Sequence, residues 1–338
     1  ASMIHNEMRK HGIKLVLGYT VEGFKEKDNG VEVLLKDNPS LQADMVVLAI
    51  GVTPDTALAK EAGLELGIKG SIVVNDRMET SVPDIYAAGD AVQVKHYVTG
   101  DDALISLAGP ANKQGRIIAD NICGGDSRYL GSQGSSVIKV FDMTAATTGI
   151  NETNAKKSGL EVDTVILSPM SHAGYYPGGK VMTMKVVFEK ETYRLLGAQI
   201  IGYEGVDKRI DVLATAIHAG LKATQLKDLD LAYAPPYSSA KDPVNMAGFM
   251  IDNIAKGTLK QWHLEDMDKI SRDKSVVLLD VRTVGEFNRG HMDGFKNIPV
   301  DELRERINEI EKGKPVYLIC QSGLRSLYCK PYFGRKWI

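Results

Sequence analysis

Apolar and polar positions change period several times along the chain. Residues 2–10 follow a helical pattern, with Gly12 placed to cap its end. Strand patterns follow at 14–17, 21–27 and 31–36, and Asp28-Asn29-Gly30 reads as the turn between the last two. Residues 43–50 are almost continuously apolar and stop at Gly51, the pattern of a parallel strand covered on both faces. Residues 85–88 read as a short strand and 103–122 as one long helix. A Gly/Ser-rich link occupies 124–127 and 131–136. Beyond it, strands at 137–141, 164–168, 181–188 and 194–201 and a helix at 206–219 give an α+β arrangement. After Trp262 the pattern resets. Strands at 276–280 and 316–319 flank an amphipathic helix at 302–310, which implies a small parallel sheet. The fold class expected is α/β and α+β, multidomain.

Composition narrows the function classes. The 338 residues are enough for two or three domains. A formal net charge of -2, with both signs interspersed, gives no electrostatic case for a nucleic-acid or membrane partner. The best apolar run, 45–52, is far too short to span a bilayer, and no signal peptide opens the chain. Three cysteines, Cys123, Cys320 and Cys329, are too few and odd in number for a disulfide scaffold. They point to a reducing, cytoplasmic setting.

The run Thr80-Ser81-Val82-Pro83-Asp84-Ile85-Tyr86-Ala87-Ala88-Gly89-Asp90 carries the most information. Small residues at 87–89 let a planar ligand approach the backbone, and Asp90 offers a carboxylate to a ribityl hydroxyl. A second segment, Leu107-Ala108-Gly109-Pro110-Ala111-Asn112-Lys113-Gln114-Gly115-Arg116, opens a helix with free N–H groups beside small residues. Together the two resemble the FAD-binding segments of the pyridine nucleotide-disulfide oxidoreductases. That resemblance implies FAD contacts at Gly89, Asp90, Ala108, Ala111 and Asn112, with the helix dipole facing the pyrimidine edge of the flavin. Leu48-Ala49-Ile50-Gly51 followed by Pro54 resembles the family's exit from its NAD-binding domain.

Two aromatic segments lie in the α+β region. They are Ser171-His172-Ala173-Gly174-Tyr175-Tyr176-Pro177-Gly178 and Ala232-Tyr233-Ala234-Pro235-Pro236-Tyr237-Ser238-Ser239-Ala240-Lys241-Asp242-Pro243-Val244-Asn245. Prolines and glycines fix such loops, and tyrosine hydroxyls can hydrogen-bond a sulfur. Isolated tyrosines would read as half-buried loop aromatics. The combination resembles coenzyme A-disulfide reductases, and the resemblance implies catalytic roles for Tyr175 and Tyr233, with Tyr176 and Tyr237 as neighbours. It also implies a homodimer, in which tyrosines of one subunit reach the other's redox cysteine.

At the end of the chain, Leu278-Leu279-Asp280-Val281-Arg282, Glu286-Phe287, Gly290-His291, Asn297-Ile298-Pro299 and Cys320-Gln321-Ser322-Gly323-Leu324-Arg325-Ser326 resemble a rhodanese, a sulfurtransferase domain. Cys320 ends a strand at a loop that turns into a helix near Arg325. Converging N–H groups, the helix dipole and a full positive charge on Arg325 would lower the thiol's pKa and stabilise a persulfide. The alternative is an inert cysteine at a strand end. His291 is expected to be architectural, Cys123 structural, and no metal site is predicted.

No Gly-x-Gly-x-x-Gly occurs on a strand-turn-helix, although the family has two. The chain is therefore expected to be a fragment: 1–51 the end of an NAD(P)-binding domain, 52–130 the C-terminal part of an FAD domain, 131–257 a dimerisation domain and 263–338 an incomplete rhodanese-like domain. The function implied is NAD(P)H- and FAD-dependent reduction of a CoA disulfide, CoA persulfide or polysulfide, with sulfane sulfur carried by Cys320. An NADH oxidase or peroxidase with an attached rhodanese, or a non-catalytic dimeric sulfur carrier or sensor, are the alternatives. Residues 327–338 are expected to be non-native. Pro331 interrupts the helix expected there, at a cost of about 3 kcal/mol. A back-translation read one base later gives Y-I-A-S-R-I-L-A-E-N-G, the pattern a rhodanese helix requires.

Overall fold

The computed structural model describes residues 1–321 together with Gly323, Arg325, Ser326 and Cys329. The expectation for residues 327–338 therefore lies outside the described residues, Cys329 excepted. The chain divides into two compact units, Ala1–Gly134 with Lys139–Met143, and Ser135–Ile138 with Thr144–Ile338.

In the first unit, α1 (Ser2–Lys10) ends just before Gly12, which takes a positive φ of 81°. Strands β1 (Val21–Lys27), β2 (Gly30–Leu35) and β3 (Asn38–Ala43) form an antiparallel meander. Lys27 pairs with Gly30, so Asp28-Asn29 is a two-residue hairpin turn. Residues 14–17 and 45–50 are not strands. The second departure has a physical cause: a strand needs at least one paired neighbour, and among the described residues no strand pairs with the run. Met45, Val47 and Ile50 are instead 76, 76 and 91% exposed.

Helix α2 (Ala57–Glu61) leads to a small sheet of β4 (Ile72–Val73), β5 (Val92–Lys95) and β6 (Asp102–Ala103). The strand expected at 85–88 is a single bridge, Tyr86 to Glu79. Helix α3 (Ala108–Ile122) begins five residues later than expected, because 102–103 are taken by β6 and Leu107 is extended. Pro110 falls in the first turn of α3, where its missing N–H costs no helix bond. The apolar face of α3, with Ile117 and Ile118, packs on Met78, Val92 and Val94.

The second unit is built on β7 (Ser136–Val140), β8 (Met143–Gly149), α4 (Glu152–Lys157), β9 (Val162–Leu167), β10 (Thr183–Glu189) and β11 (Leu195–Gly202). The strand order is β7-β8-β11-β10-β9. Gly197 permits the close approach of β8 and β11: a Cβ there would lie 2.1 Å from the Ile150 carbonyl oxygen. Helices α5 (Val206–His218) and α6 (Pro243–Ala255) bury Leu213 and Ile251 in the core with Val186 and Leu196. Strand β8 and helix α6 were not foreseen.

The rest of this unit comprises α7 (Met267–Arg272), β12 (Val277–Asp280), α8 (Val284–Asn288), β13 (Lys296–Asn297), α9 (Leu303–Arg306) and β14 (Val316–Ile319). Its three strands are parallel in the order β13-β12-β14. The helix expected at 302–310 is α9 continued by a 3-10 turn at Ile307–Glu309. Leu279, Val281, Ile298, Leu303, Val316 and Cys329 form the core. The segment entering this sheet is anchored on both sides. Gln261 Nε2 donates to Asp163 Oδ1 (3.1 Å) and Thr164 O (2.8 Å), and His263 Nε2 lies 3.0 Å from Asp163 Oδ1. Trp262 Nε1 donates to Leu318 O at 3.3 Å.

Candidate active sites

The two tyrosine loops come together. Tyr175 and Tyr233 share a hydroxyl–hydroxyl hydrogen bond of 2.6 Å in which either oxygen can donate. That bond holds the Tyr233 phenol above its ordinary pKa. Both rings are exposed, as are Tyr176 and Tyr237. A cavity of about 520 Å³ lies alongside, lined by His172, Lys208, Arg209, Tyr233, Pro236 and Tyr237 among others.

What fixes these loops is a buried ion pair that sequence reasoning missed. Arg209 is 1% exposed, on the core-facing side of α5. Its Nε and Nη2 donate to Asp242 Oδ2 at 3.1 and 2.9 Å. Nη2 also donates to Ser171 O (3.0 Å) and Tyr237 O (3.3 Å), one carbonyl from each tyrosine loop. Ser238 Oγ donates to Asp242 Oδ2 at 2.7 Å, and Ala173 N donates to Ser238 O at 2.9 Å. Asp242 Oδ1 also caps α6 by accepting from Val244 N. An arginine within the apolar stripe Val206, Ile210, Leu213 and Ile217 was the available signal.

Cys320 is half-buried immediately after β14. Gly323 N donates to its sulfur at 3.0 Å. A cavity of about 380 Å³ opens onto it, lined also by Arg282, Gly290, His291, Met292, Ile319 and Gln321. His291 stacks on Phe287 and its Nδ1 lies 3.1 Å from Phe287 O. Arg325 keeps its positive charge but spends it on an ion pair: its two terminal nitrogens donate to the two oxygens of Glu286 at 2.6 and 2.7 Å. That pairing holds the Glu286 carboxyl far below the usual carboxylate range. Cys329 lies in the core behind, and burial pushes its thiol up to about 12. Cys123 is exposed at the end of α3.

In the first unit, Gly89 has a φ of +88° and its N–H donates to Gln114 Oε1 at 2.7 Å. Asp90 is exposed, and Ser106 Oγ donates to its carbonyl at 3.4 Å. Ala108 opens α3, whose N-terminus has no side-chain cap. Ala111 N donates to Leu107 O, and Asn112 Nδ2 folds back on Ala108 O at 2.9 Å.

The model of the pyridine nucleotide-disulphide oxidoreductases matches residues 1–115, and that of their dimerisation domain matches 135–243. The chain belongs to the pyridine nucleotide-disulphide oxidoreductase family. A rhodanese-like domain follows, matched over 263–333. The NAD(P)H sulfur oxidoreductase (CoA-dependent) of Pyrococcus abyssi is 37% identical over 242 residues, 72% of this chain and 54% of that protein. The reduced Bacillus anthracis CoADR-RHD is 45% identical with a TM-score of 0.93, covering 98% of this chain and 59% of that one. The NAD-dependent persulfide reductase from A. fulgidus is 39% identical with a TM-score of 0.88, covering 98% of this chain and 60% of that one. The chain thus spans a little over half the length of these relatives.

FAD is the cofactor of this family, and the residues of the first unit fit part of its site. At Gly89 and Gly109 a Cβ would meet nothing within 4 Å, so the backbone is open to a planar group. The uncapped N–H groups of α3 are free to face its negative edge. Among the described residues no helix is long and apolar enough to cross a membrane, and no cluster of His, Cys, Asp and Glu is arranged to hold a metal ion.

Proposed function

We propose that this chain carries the tyrosine-bearing and sulfur-carrying portions of an NAD(P)H- and FAD-dependent reductase of CoA-linked sulfur–sulfur bonds. The substrate class is a CoA disulfide, CoA persulfide or polysulfide. The reading is supported above all by the 2.6 Å hydroxyl pair of Tyr175 and Tyr233 on loops locked by Arg209. Names of the relatives, with their CoA dependence and persulfide reductase activity, point the same way.

Bound FAD supplies two-electron transfer from nicotinamide to sulfur, through a redox cysteine. Gly89, Asp90, Ala108, Ala111 and Asn112 are the residues of this chain that would hold it. Cleavage of a disulfide leaves a thiolate, which needs a hydrogen-bond donor. In the tyrosine pair one hydroxyl proton is used internally, and the other is free to point at that sulfur. The bond between the hydroxyls also orients the free proton before substrate arrives. The match over 135–243 supports a homodimer, and in it the pair would face the partner's redox cysteine, as the family resemblance implies. Cys320 would accept sulfane sulfur as a persulfide, in a reducing cytoplasm. Residues 1–51, 52–130, 131–257 and 263–338 would be the NAD(P)-binding remnant, FAD, dimerisation and rhodanese-like parts.

The test is anaerobic NAD(P)H oxidation by the flavin-loaded reductase that includes this chain, with CoA disulfide or CoA persulfide as acceptor. Acceptor-dependent oxidation with release of free CoA thiol supports the reading. Oxidation that requires oxygen or peroxide and ignores the CoA acceptors overturns it.

A further inference from the structure

We propose that Glu286 sets the sulfur-donor specificity of the Cys320 site, by gripping Arg325 and cancelling its charge. The inference rests on Cys320 being the sulfane-sulfur carrier.

The Glu286 carboxylate makes four bonds. Its Oε1 accepts from Arg325 Nη2 at 2.7 Å, and its Oε2 from Arg325 Nη1 at 2.6 Å. The same Oε2 accepts from the backbone N and the Oγ1 of Thr283, both at 2.9 Å, closing the first turn of α8. Arg325 stands two residues beyond Gly323, whose N–H reaches the Cys320 sulfur. One carboxylate therefore ties the far end of the Cys320 loop to α8 and neutralises the cation of that loop.

Arg282, a cation lining the cavity, is neutralised as well. Its Nε bonds both Asp280 oxygens (3.0 and 2.9 Å), and its Nη2 bonds Asp280 Oδ2 (2.6 Å) and Gly290 O (2.9 Å). Asp280 itself is fully buried. Arg282 in the cavity lining and Arg325 in the Cys320 loop are thus each matched by a carboxylate. Among the described lining residues a small dianion such as thiosulfate finds no uncompensated guanidinium, whereas a thiol persulfide needs none. Both donors deliver the same atom. Attack of the Cys320 thiolate on thiosulfate forms Cys320–S–S⁻ and expels sulfite. Attack on R–S–SH forms the same persulfide, and R–S⁻ leaves with the proton. Cyanide then takes the outer sulfur as thiocyanate and regenerates the thiolate.

The experiment measures thiocyanate formation by the full chain, with thiosulfate or glutathione persulfide as donor. Glu286→Gln is the informative variant, because glutamine at this helix position still completes the turn with Thr283. It leaves Arg325 uncompensated. The thiosulfate-to-persulfide ratio of kcat/KM should rise by about tenfold, as expected for one close charge. The added thiosulfate activity should fall steeply with ionic strength, which a purely structural role for Glu286 would not produce. The double variant Glu286→Gln/Arg325→Gln, neutral again, should return the ratio to the wild-type level. If Glu286→Gln does not fold, Arg325→Gln alone should push the ratio below wild type. An unchanged ratio in a folded charge variant, or wild-type protein that uses thiosulfate as well as the persulfide, overturns the inference. Cys320→Ser separates the two claims. Transfer that survives it sinks the reading of Cys320, whereas transfer lost in it with an unmoved ratio in Glu286→Gln sinks only the role of Glu286.

Discussion

Tyr175 and Tyr233, 58 residues apart in sequence, bring their hydroxyl oxygens within 2.6 Å of each other. The contact has a titration signature. The bond to Tyr175 raises the proton affinity of Tyr233. Tyr175→Phe should therefore move Tyr233 back down toward the ordinary phenol value of about 10. Tyrosinate absorbance followed against pH checks this: one phenol should ionise at lower pH in the variant than in the wild type.

The Arg209–Asp242 pair governs the stability of the loops carrying these tyrosines. Both side chains are buried, at 1 and 3% exposure. Asp242→Ala leaves a buried guanidinium without its partner, and should destabilise this unit by about 3–5 kcal/mol. Urea unfolding of the chain measures it. Asp242→Asn should cost less, because its single amide oxygen can still accept from Arg209, although the amide nitrogen then faces the Val244 N–H.

The segment at 261–263 should respond to pH. The hydrogen bond with Asp163 raises the pKa of His263, against the opposing effect of burial. At Asp163, burial pushes the carboxyl up, but His263, the Thr164 N–H and Gln261 outweigh it and the net shift is downward. Asp266 and Glu152 also face the imidazole, and Glu152 is paired with Lys156 and Lys185. Because the folded value is raised, the stabilisation is complete below the ordinary histidine value of about 6.5. It is lost as pH rises through the raised value. Amide hydrogen exchange at 261–263, corrected for intrinsic rate, should accelerate across that window and lose this dependence in His263→Gln.

Flavin retention should be weak in a polypeptide of these 338 residues. The chain offers Gly89, Asp90 and the start of α3, but no Gly-x-Gly-x-x-Gly turn to cradle the pyrophosphate. A visible spectrum of the purified chain checks this, with little bound flavin expected.

Local signals made part of the molecule legible. The helix at Ser2–Lys10 and the hairpin at Asp28-Asn29 follow from periodicity and turn chemistry. The parallel sheet around Cys320 follows from alternating strand and helix patterns. The apolar run at 45–50 reads as a strand, but among the described residues no strand pairs with it, and Met45, Val47 and Ile50 are exposed. Helix α6 escaped notice because its start lies hidden in a proline-rich loop, although Asp242-Pro243 is a sound helix opening. The Tyr175 and Tyr233 loops were visible as motifs. Their fastening by Arg209 was not, because ion pairs 33 residues apart leave no periodic trace. Glu286 was visible only as half of the spacing Thr283-x-x-Glu286, which foretells a helix cap and says nothing of Arg325.

The central claim is that the tyrosine pair acts on a CoA-linked sulfur bond at a site separable from Cys320. The most direct measurement is CoA-disulfide-dependent NAD(P)H oxidation by the flavin-loaded reductase that includes this chain, carrying Tyr175→Phe, Tyr233→Phe or both. A hydrogen bond to a charged sulfur is worth roughly 1.5–3 kcal/mol, so kcat should fall by about ten- to a hundredfold. The double variant should lose little more than the worse single one, because the hydroxyls act as a pair. Sulfane-sulfur transfer should persist in all three, and Cys320→Ser should abolish that transfer while sparing CoA-disulfide reduction. Undiminished CoA-disulfide turnover in the folded, flavin-loaded double variant would contradict the account.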